Sequence, residues 1–445
     1  MMRIKKIAVV SFVALFCVFG AVSAKEAAKV SIGGKNARNS WDEKHGINYE
    51  EDRVGSCVLP DPLVNPHNGF RASNAVEWIE KVRPAVVEEV EKLYGPALPR
   101  PLQMRFEVEE SGEAFSGKAI RKQIRIYLKG DTGKEFSFGV LMYAPKAKGP
   151  LPAFVNMNFY GNHTVADDPS IIVGKYWIKD GTINGYKVRG HSPSDVVRGI
   201  HATSHPIGAI LDAGFAYLTF CYCEAFPDTG EAAINSKNIS AIFSDSVYPH
   251  KRAAISVWSW AISRVMDYIE SQPLLDKTRI AVVGHSRQGK TALLTGALDT
   301  RFAMVISNGS GCMGAKLSRR NYGENISSIT DRFGYWFSDN LKKYAFAEGK
   351  MPIDQHQLLA LIAPRPVYVE SASEDRWADP KGQISALVAA NPVYGLFGAK
   401  DLPTMANENV PFCGATGYHL RKGKHALTEE DWEYFIKFAK KHFER

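Results

Sequence analysis

The stretch AVVGHSRQGKTALL, residues 281–294, decides the fold, because it fits two unrelated sequence patterns. Its central letters, GHSRQGKT, match the phosphate-binding loop G-x-x-x-x-G-K-[ST]. The same stretch places Ser286 after an apolar run and before a helical pattern, where a hydrolase places its nucleophile. The hydrolase pattern G-x-S-x-G fails by one residue, since Gln288 stands where the second glycine belongs and Gly289 follows it. The rest of the chain has to separate the two interpretations.

The first 24 residues have the three regions of a secretory signal peptide. A basic head is followed by an apolar core and by the small-residue sequence AVSA at 21–24. We therefore predict that residues 1–24 are removed and that the protein is secreted or periplasmic, with no membrane anchor. Little nucleoside triphosphate is present outside the cell, so export argues against a nucleotide as ligand.

Composition excludes few functions but favours a small-molecule or polymer substrate over nucleic acid. The formal net charge of +8 falls to about +5 once the signal is removed, and no basic tract remains, so we expect no nucleic-acid partner. No spacing such as C-x-x-C or H-E-x-x-H occurs, so we expect no metal and no cofactor. The mature chain keeps an odd number of cysteines, which leaves at least one thiol unpaired: Cys57, Cys221, Cys223, Cys312 and Cys413.

The order of apolar runs predicts an α/β-hydrolase fold, a three-layer sandwich with a mostly parallel central sheet and helices on both faces. Residues 25–72 are polar and rich in turn residues, so we expect an N-terminal extension over the surface, followed by a catalytic domain at 73–445. Residues 103–145 alternate like antiparallel strands. Further along, short apolar runs alternate with helix-length segments, which is typical of parallel βαβ units. An amphipathic helix capped by Thr428 closes the chain.

The candidate catalytic residues follow the chain order that this fold requires, each after a predicted strand. Ser286 ends one apolar run, Glu374 and Asp375 end another, and His425 lies just before the closing helix. A phosphate-loop protein would need an aspartate after the next strand to hold magnesium. That strand, in FAMVISNGSG at 302–311, offers only serine and asparagine. The hydrolase interpretation is favoured, and the phosphate-loop match is accidental.

The chemistry assigns a role to each of these residues. A serine hydroxyl becomes nucleophilic when a base takes its proton, which is the role expected of His425. Asp375 would orient the imidazole and stabilise its charged form, with Glu374 as the fallback acid. His419 lies within a predicted strand and is the second choice as base. The backbone N–H of Arg287, next after the nucleophile, would stabilise the oxyanion, and its guanidinium would add a fixed charge.

Plain structural roles remain open for the same residues. His425 could cap the closing helix, Asp375 could belong to a turn, and Trp377 could be a packing residue. Arg287 and Lys290 could be surface cations, but basic residues in a first helical turn oppose the helix dipole. That unfavourable placement indicates an anionic partner in the cleft.

Four segments resemble bacterial glucuronoyl esterases of carbohydrate esterase family 15, and the resemblance extends from about residue 75 to the C terminus. They are GNHT at 161–164, the stretch from GHSRQGK to NYGEN at 284–325, YWF at 335–337, and PIDQHQLLALIAPRPVYVESASEDRWADPKG at 352–382. The motif G-x-S-R-x-G-K, with its late second glycine, is specific to that family. The resemblance implies hydrolysis, without a cofactor, of esters that join (4-O-methyl-)glucuronic acid of glucuronoxylan to lignin alcohols.

The resemblance also implies site roles. Ser286 would be the nucleophile, His425 the base and Arg287 an oxyanion stabiliser. Lys290, Glu324 and Trp377 would contact the glucuronoyl sugar. Many family members carry the acid as a glutamate just after the strand that follows the nucleophile helix. Here residues 307–311 contain no acid, so Asp375 is the expected source.

Two other functions remain open. One is an acetyl or feruloyl xylan esterase on the same fold, which would have a neutral acyl pocket in place of Arg287 and Lys290. The other is a non-catalytic carbohydrate-binding hydrolase homologue, in which replacing Ser286 would change nothing.

Overall fold

The computed structural model describes residues 40–183, 185–249 and 253–444. The chain divides into two compact units, residues 1–44 and residues 45–445. Only residues 40–44 of the first unit are described, at the start of a short helix. The predicted signal peptide at 1–24 lies outside the described residues. Residues 45–72, given to an extension on sequence grounds, belong to the same compact unit as residues 73–445.

The strands follow one another along the chain as β1 (Gln103–Ala114), β2 (Ala119–Lys129), β3 (Glu135–Pro145), β4 (Leu151–Asn158), β5 (Gly181–Ile183), β6 (Tyr186–Val188), β7 (Ala216–Cys221), β8 (Leu275–His285), β9 (Met304–Asn308), β10 (Val367–Ala372), β11 (Phe412–Cys413) and β12 (Gly417–Arg421). The α-helices are α1 (Ser40–His45), α2 (Ala75–Glu77), α3 (Arg83–Tyr94), α4 (Ile207–Asp212), α5 (Tyr222–Ala225), α6 (Ala232–Asn235), α7 (Ala254–Glu270), α8 (Arg287–Leu298), α9 (Ile326–Phe333), α10 (Gln355–Ala360), α11 (Pro380–Ala389), α12 (Asn391–Leu396) and α13 (Glu429–Phe443).

A ten-stranded sheet forms the centre of the second unit, in the order β1-β2-β3-β7-β4-β8-β9-β10-β12-β11. The first strands pair antiparallel, as their alternation predicts, and β3 joins β7 in the same sense. From β7 to β12 the strands run parallel. Their carboxyl ends therefore meet at one edge of the sheet, and the residues that follow β8, β9 and β10 are brought together there.

Alternate residues of the central strands pack on opposite faces of the sheet and join two separate apolar clusters. In β8, Val282 belongs to the cluster shared with α3, α7 and α8, whereas Val283 belongs to the cluster shared with α4 and α13. Strand β7 is buried along its whole length, as expected when helices cover both faces of a parallel sheet. The prediction of a three-layer α/β-hydrolase sheet is confirmed.

The closing helix α13 begins where its capping signal places it. Thr428 is the N-cap, and its hydroxyl accepts the backbone N–H of Asp431 at 3.4 Å. The five cysteines within the described residues form no disulfide. Among the helices of the described segments, none combines the length and apolar character that a membrane span needs.

Candidate active site

Ser286 lies at a sharp turn between β8 and α8. Its backbone is held at φ 59° and ψ −124°, a conformation rare for residues other than glycine and therefore strained. The backbone N–H of Ser286 donates to the carbonyl of Asn308 at 2.8 Å, which fixes the turn against β9. A Cβ on Gly289 would lie 3.0 Å from the carbonyl oxygen of Gly284 and 3.0 Å from the Cβ of Ser310. The glycine that the hydrolase pattern puts at 288 is thus needed at 289, where the first turn of α8 packs against the loop after β9.

His425 and Asp375 meet beside this turn. The Nδ1 of His425 and the Oδ2 of Asp375 are 2.5 Å apart. Asp375 follows the turn after strand β10 and is buried. Its Oδ1 accepts the backbone N–H of Ala378 at 3.3 Å. One carboxylate oxygen thus holds the loop and the other holds the imidazole. A Cβ on Gly309 would lie 3.2 Å from the His425 ring, so the loop after β9 needs a glycine there to admit the base.

The alternative acid, Glu374, and the alternative base, His419, lie outside the pair formed by His425 and Asp375. Glu374 is exposed, and its backbone N–H donates to the carbonyl of Gly423. His419 is buried in the sheet, where its ring nitrogens lie 3.0 Å from Asp431 and 3.1 Å from the hydroxyl of Tyr368. The structure therefore brings Asp375 to His425, and it brings neither Glu374 nor His419 into that pair.

A second histidine separates the base from the core. His285 packs against His425 with ring centroids 4.5 Å apart, and its Nδ1 hydrogen-bonds to the side-chain oxygen of Asn308. Burial, with the neighbouring His425, lowers the pKa of His285 to about 3. His285 is therefore neutral at ordinary pH and adds no charge beside the base.

Arg287 carries a fixed positive charge next to Ser286. Its Nη1 donates to the buried carboxylate of Asp228, and its guanidinium lies 4.7 Å from the centroid of Trp336. Burial alone would lower the pKa of Arg287, but the charge of Asp228 raises it above its usual range. Within the described segments the Nε of Arg287 is buried and has no hydrogen-bond partner.

Asp228 was not singled out from the sequence. Besides Arg287, it accepts hydrogen bonds from the hydroxyls of Tyr222 and Tyr335 and from the indole of Trp336, each at 2.7 Å. Burial raises the pKa of Asp228, but Arg287 and these donors hold it below its usual range. Its surroundings in the sequence, Pro-Asp-Thr-Gly, are typical of a turn, and no spacing connects it to Tyr335 and Trp336, which lie 107 and 108 residues further along the chain.

Lys290 and Glu324 form a buried polar pair beside the loop after β9. The Nζ of Lys290 donates to the carbonyl of Ser310 at 2.5 Å and lies 3.7 Å from the Oε2 of Glu324. Burial lowers the pKa of Lys290, and the neighbouring carboxylate opposes that shift. The backbone N–H of Glu324 donates to the carbonyl of the half-buried Trp377 at 2.9 Å. The structure thus brings together the three residues predicted to contact a sugar.

Residues 45–72 hold the segment that carries Glu324 in place. The carbonyl of Asn48 accepts the backbone N–H of Gly323 at 2.8 Å, and the carbonyl of His45 accepts the side-chain amide of Asn325 at 2.7 Å. Arg320 bridges Glu51 and Asp379. The segment that carries Glu324 is therefore fixed on both sides by the N-terminal part of the compact unit.

Two clusters within the described residues have the ligand spacing for a metal, and neither is at this site. Glu370, His419 and Asp431 are buried, but the guanidinium of Arg421 already neutralises Asp431. The second cluster is on the surface, where Lys92 forms ion pairs with both of its glutamates.

Known proteins resemble this chain over most of its length. The family model for fungal glucuronyl esterases matches residues 181–398. The carbohydrate esterase MZ0003, from an unknown prokaryotic organism, is 37% identical over 410 residues, covering 90% of this chain and 93% of that protein. A 4-O-methyl-glucuronoyl methylesterase of Podospora anserina is 25% identical over 356 residues, covering 77% of this chain and 61% of the fungal protein.

Solved structures resemble it equally well. A promiscuous esterase of carbohydrate esterase family 15 from a marine bacterial metagenome superimposes with a TM-score of 0.81 and 36% identity, covering 89% of this chain and all of the other. The glucuronoyl esterase from Solibacter usitatus superimposes with a TM-score of 0.79 and 36% identity, covering 88% of this chain and 100% of that protein. The likeness therefore extends over most of this chain and over the full length of each of these two esterases.

Proposed function

As a member of the glucuronoyl esterases of carbohydrate esterase family 15, this chain is a carboxylic ester hydrolase that acts on esters of glucuronic acid, and we propose that it does so through a Ser-His-Asp acyl-enzyme mechanism. The observation that carries the mechanism is the bond between His425 and Asp375 beside the strained turn at Ser286. Nucleophile, base and acid come from the carboxyl ends of β8, β12 and β10, which this fold uses for a triad.

The reaction begins when the Oγ of Ser286 attacks the ester carbonyl carbon while His425 takes its proton. Asp375 keeps the proton of His425 on Nδ1, so that the other ring nitrogen can act as the base, and stabilises the imidazolium. The oxyanion of the tetrahedral intermediate accepts a hydrogen bond from the backbone N–H of Arg287, and the guanidinium of Arg287 adds a fixed positive charge nearby. The alcohol leaves with the proton from His425. Water, activated by His425, then hydrolyses the acyl-enzyme and releases the uronic acid.

Asp228 completes this oxyanion site by holding the guanidinium. An arginine side chain free to rotate would lose conformational entropy and reorganise during the reaction, whereas one that is fixed before the substrate binds acts without that cost. The carboxylate of Asp228 and the ring of Trp336 fix Arg287 from two sides.

Acyl selectivity comes from the buried Lys290–Glu324 pair and from Trp377 next to it. Lys290 and Glu324 offer a donor and an acceptor for the hydroxyls of the sugar, and Trp377 adds an aromatic surface. The charges of Arg287 and Lys290 suit a product that is a carboxylate. An acetyl ester has no hydroxyls for these groups to bind, so it lacks this part of the binding energy.

We further propose that the natural substrate is the ester link between glucuronoxylan and lignin and that the enzyme acts outside the inner membrane. The signal-peptide pattern at residues 1–24 supports export. A polymer that cannot enter a cell requires an exported enzyme.

The test compares two esters of one alcohol, benzyl glucuronate and benzyl acetate, using the chain from residue 25 and its Ser286→Ala variant. We expect the glucuronate to be cleaved preferentially and the variant to lose roughly a thousandfold or more. Preference for benzyl acetate would overturn the acyl specificity and favour an acetyl esterase. Equal activity of Ser286→Ala would overturn the mechanism.

A further inference from the structure

The loop that carries His425 is held by the side chain of one arginine. Arg421, the last residue of β12, donates from Nη1 to the carbonyl of Lys422 at 3.1 Å. Its Nη2 donates to the carbonyls of Lys424 at 2.8 Å and Ala426 at 3.3 Å. The last two are the immediate neighbours of His425 in the sequence. The backbone on both sides of the base is therefore bound to a single planar group.

The guanidinium of Arg421 is itself fixed from the core. Its Nε lies 3.1 Å and 3.2 Å from the two carboxylate oxygens of Asp431, a fully buried residue in the first turn of α13. Asp431 also accepts the N–H and the hydroxyl of Thr428, both at 2.8 Å. The Asp431 carboxylate thus binds Arg421 at the start of the loop and Thr428 at its end, so one buried group holds both ends of the loop.

His425 needs such support because its own side chain is exposed, with 41% of its surface accessible. Its packing contact with His285 and its bond to Asp375 orient the ring but do not fix the backbone from which it extends. A displacement of about 1 Å between catalytic groups can cost roughly a hundredfold in rate.

We propose that Arg421 is a positioning residue that holds His425 in line with Ser286 by binding the carbonyls on either side of it. Only arginine provides several N–H donors in a rigid plane, so lysine, with a compact charge on a flexible stem, cannot bind three carbonyls and a carboxylate at once. The inference rests on the proposed serine mechanism, but it does not depend on which ester is the substrate.

The chain provides a matched control in Arg365. It donates to three backbone carbonyls, those of Asp299 at 3.2 Å, Phe302 at 2.9 Å and Gly296 at 2.5 Å. These residues connect α8 to the amino end of β9, at the sheet edge opposite to the triad. Arg365→Lys therefore removes the same kind of clamp without affecting the base.

The experiment measures three quantities for the wild type, Arg421→Lys and Arg365→Lys: the melting temperature, kcat and KM on benzyl glucuronate, and the rate at which p-nitrophenyl diethyl phosphate phosphorylates Ser286. Both variants should melt at lower temperature. We expect kcat and the phosphorylation rate to fall about a hundredfold in Arg421→Lys alone, with KM nearly unchanged. Methylguanidinium should restore part of the rate to Arg421→Ala.

Equal rates in Arg421→Lys and Arg365→Lys would overturn the inference, because the arginine would then contribute only to stability. If Arg421→Lys does not fold, Asp431→Asn, which keeps one acceptor for Nε but removes its charge, should show a smaller loss of the same kind, and unchanged rates would again overturn it. If benzyl glucuronate is not cleaved by the wild type but phosphorylation still slows in Arg421→Lys, the substrate proposal fails and the positioning role stands.

Discussion

Replacing Asp375 by asparagine tests the catalytic acid at nearly constant shape. The Oδ1 accepts the N–H of Ala378, and asparagine can keep that bond, which places its Nδ2 where Oδ2 now lies, 2.5 Å from the Nδ1 of His425. Two N–H donors cannot share that position. The imidazole must therefore carry its proton on the nitrogen that should accept the proton of Ser286.

We expect kcat of Asp375→Asn on benzyl glucuronate to fall by about 10⁴, equivalent to roughly 5.5 kcal/mol of transition-state stabilisation, with little change in KM. The assay follows benzyl alcohol release. Glu374→Gln is the matched control, because it changes the adjacent but exposed carboxyl, and it should stay within about twofold of the wild type. The reasoning is refuted if Asp375→Asn keeps a tenth of the activity, or if Glu374→Gln is the variant that loses it.

Three further outcomes are expected. Asp228→Asn leaves the partly buried Arg287 without its counter-ion, so urea unfolding should show a loss of about 3 kcal/mol and kcat should fall; an unchanged kcat would show that Arg287 does not depend on this contact. Lys290→Met should raise KM for benzyl glucuronate by about tenfold or more and leave benzyl acetate hydrolysis unaffected; equal effects on both esters would remove the residue from acyl recognition. Burial lowers the pKa of His205 from 6.5 to about 3. Between these pH values the unfolded chain binds a proton that the folded chain does not, so the free energy of unfolding should fall as pH decreases from 6.5 towards 3. His205→Gln should flatten that slope by up to about 1.4 kcal/mol per pH unit, measured by urea unfolding across this range.

The sequence was informative where a local pattern determines the structure. The late glycine at 289 follows from the packing of α8 on the loop after β9, so the family motif and the fold agree. The absence of an acid at 307–311 and the presence of Asp375 after β10 were enough to predict the pair with His425. The alternating strands and the capped closing helix follow from periodicity and capping alone.

The sequence did not predict the roles of residues that act through partners far along the chain. Asp228 receives donors from positions 335 and 336, and its own surroundings look like an ordinary turn. In the sequence, Arg421 looks like any basic residue at a strand end. The carbonyls that it binds belong to the backbone, so the residue types around it do not reveal these contacts. The turn-rich residues 45–72 gave no sign of packing against the Glu324 segment, because His45 and Asn48 accept two of those hydrogen bonds through their backbone carbonyls.

The most direct test of the central claim is to identify the covalent intermediate. Wild-type protein mixed with benzyl glucuronate and quenched in acid within milliseconds should be digested and analysed by mass spectrometry. We predict a glucuronoyl adduct on the peptide that contains Ser286, absent in Ser286→Ala and absent after turnover is complete. Ester cleavage without an adduct at Ser286, or an adduct on another residue, would contradict the account.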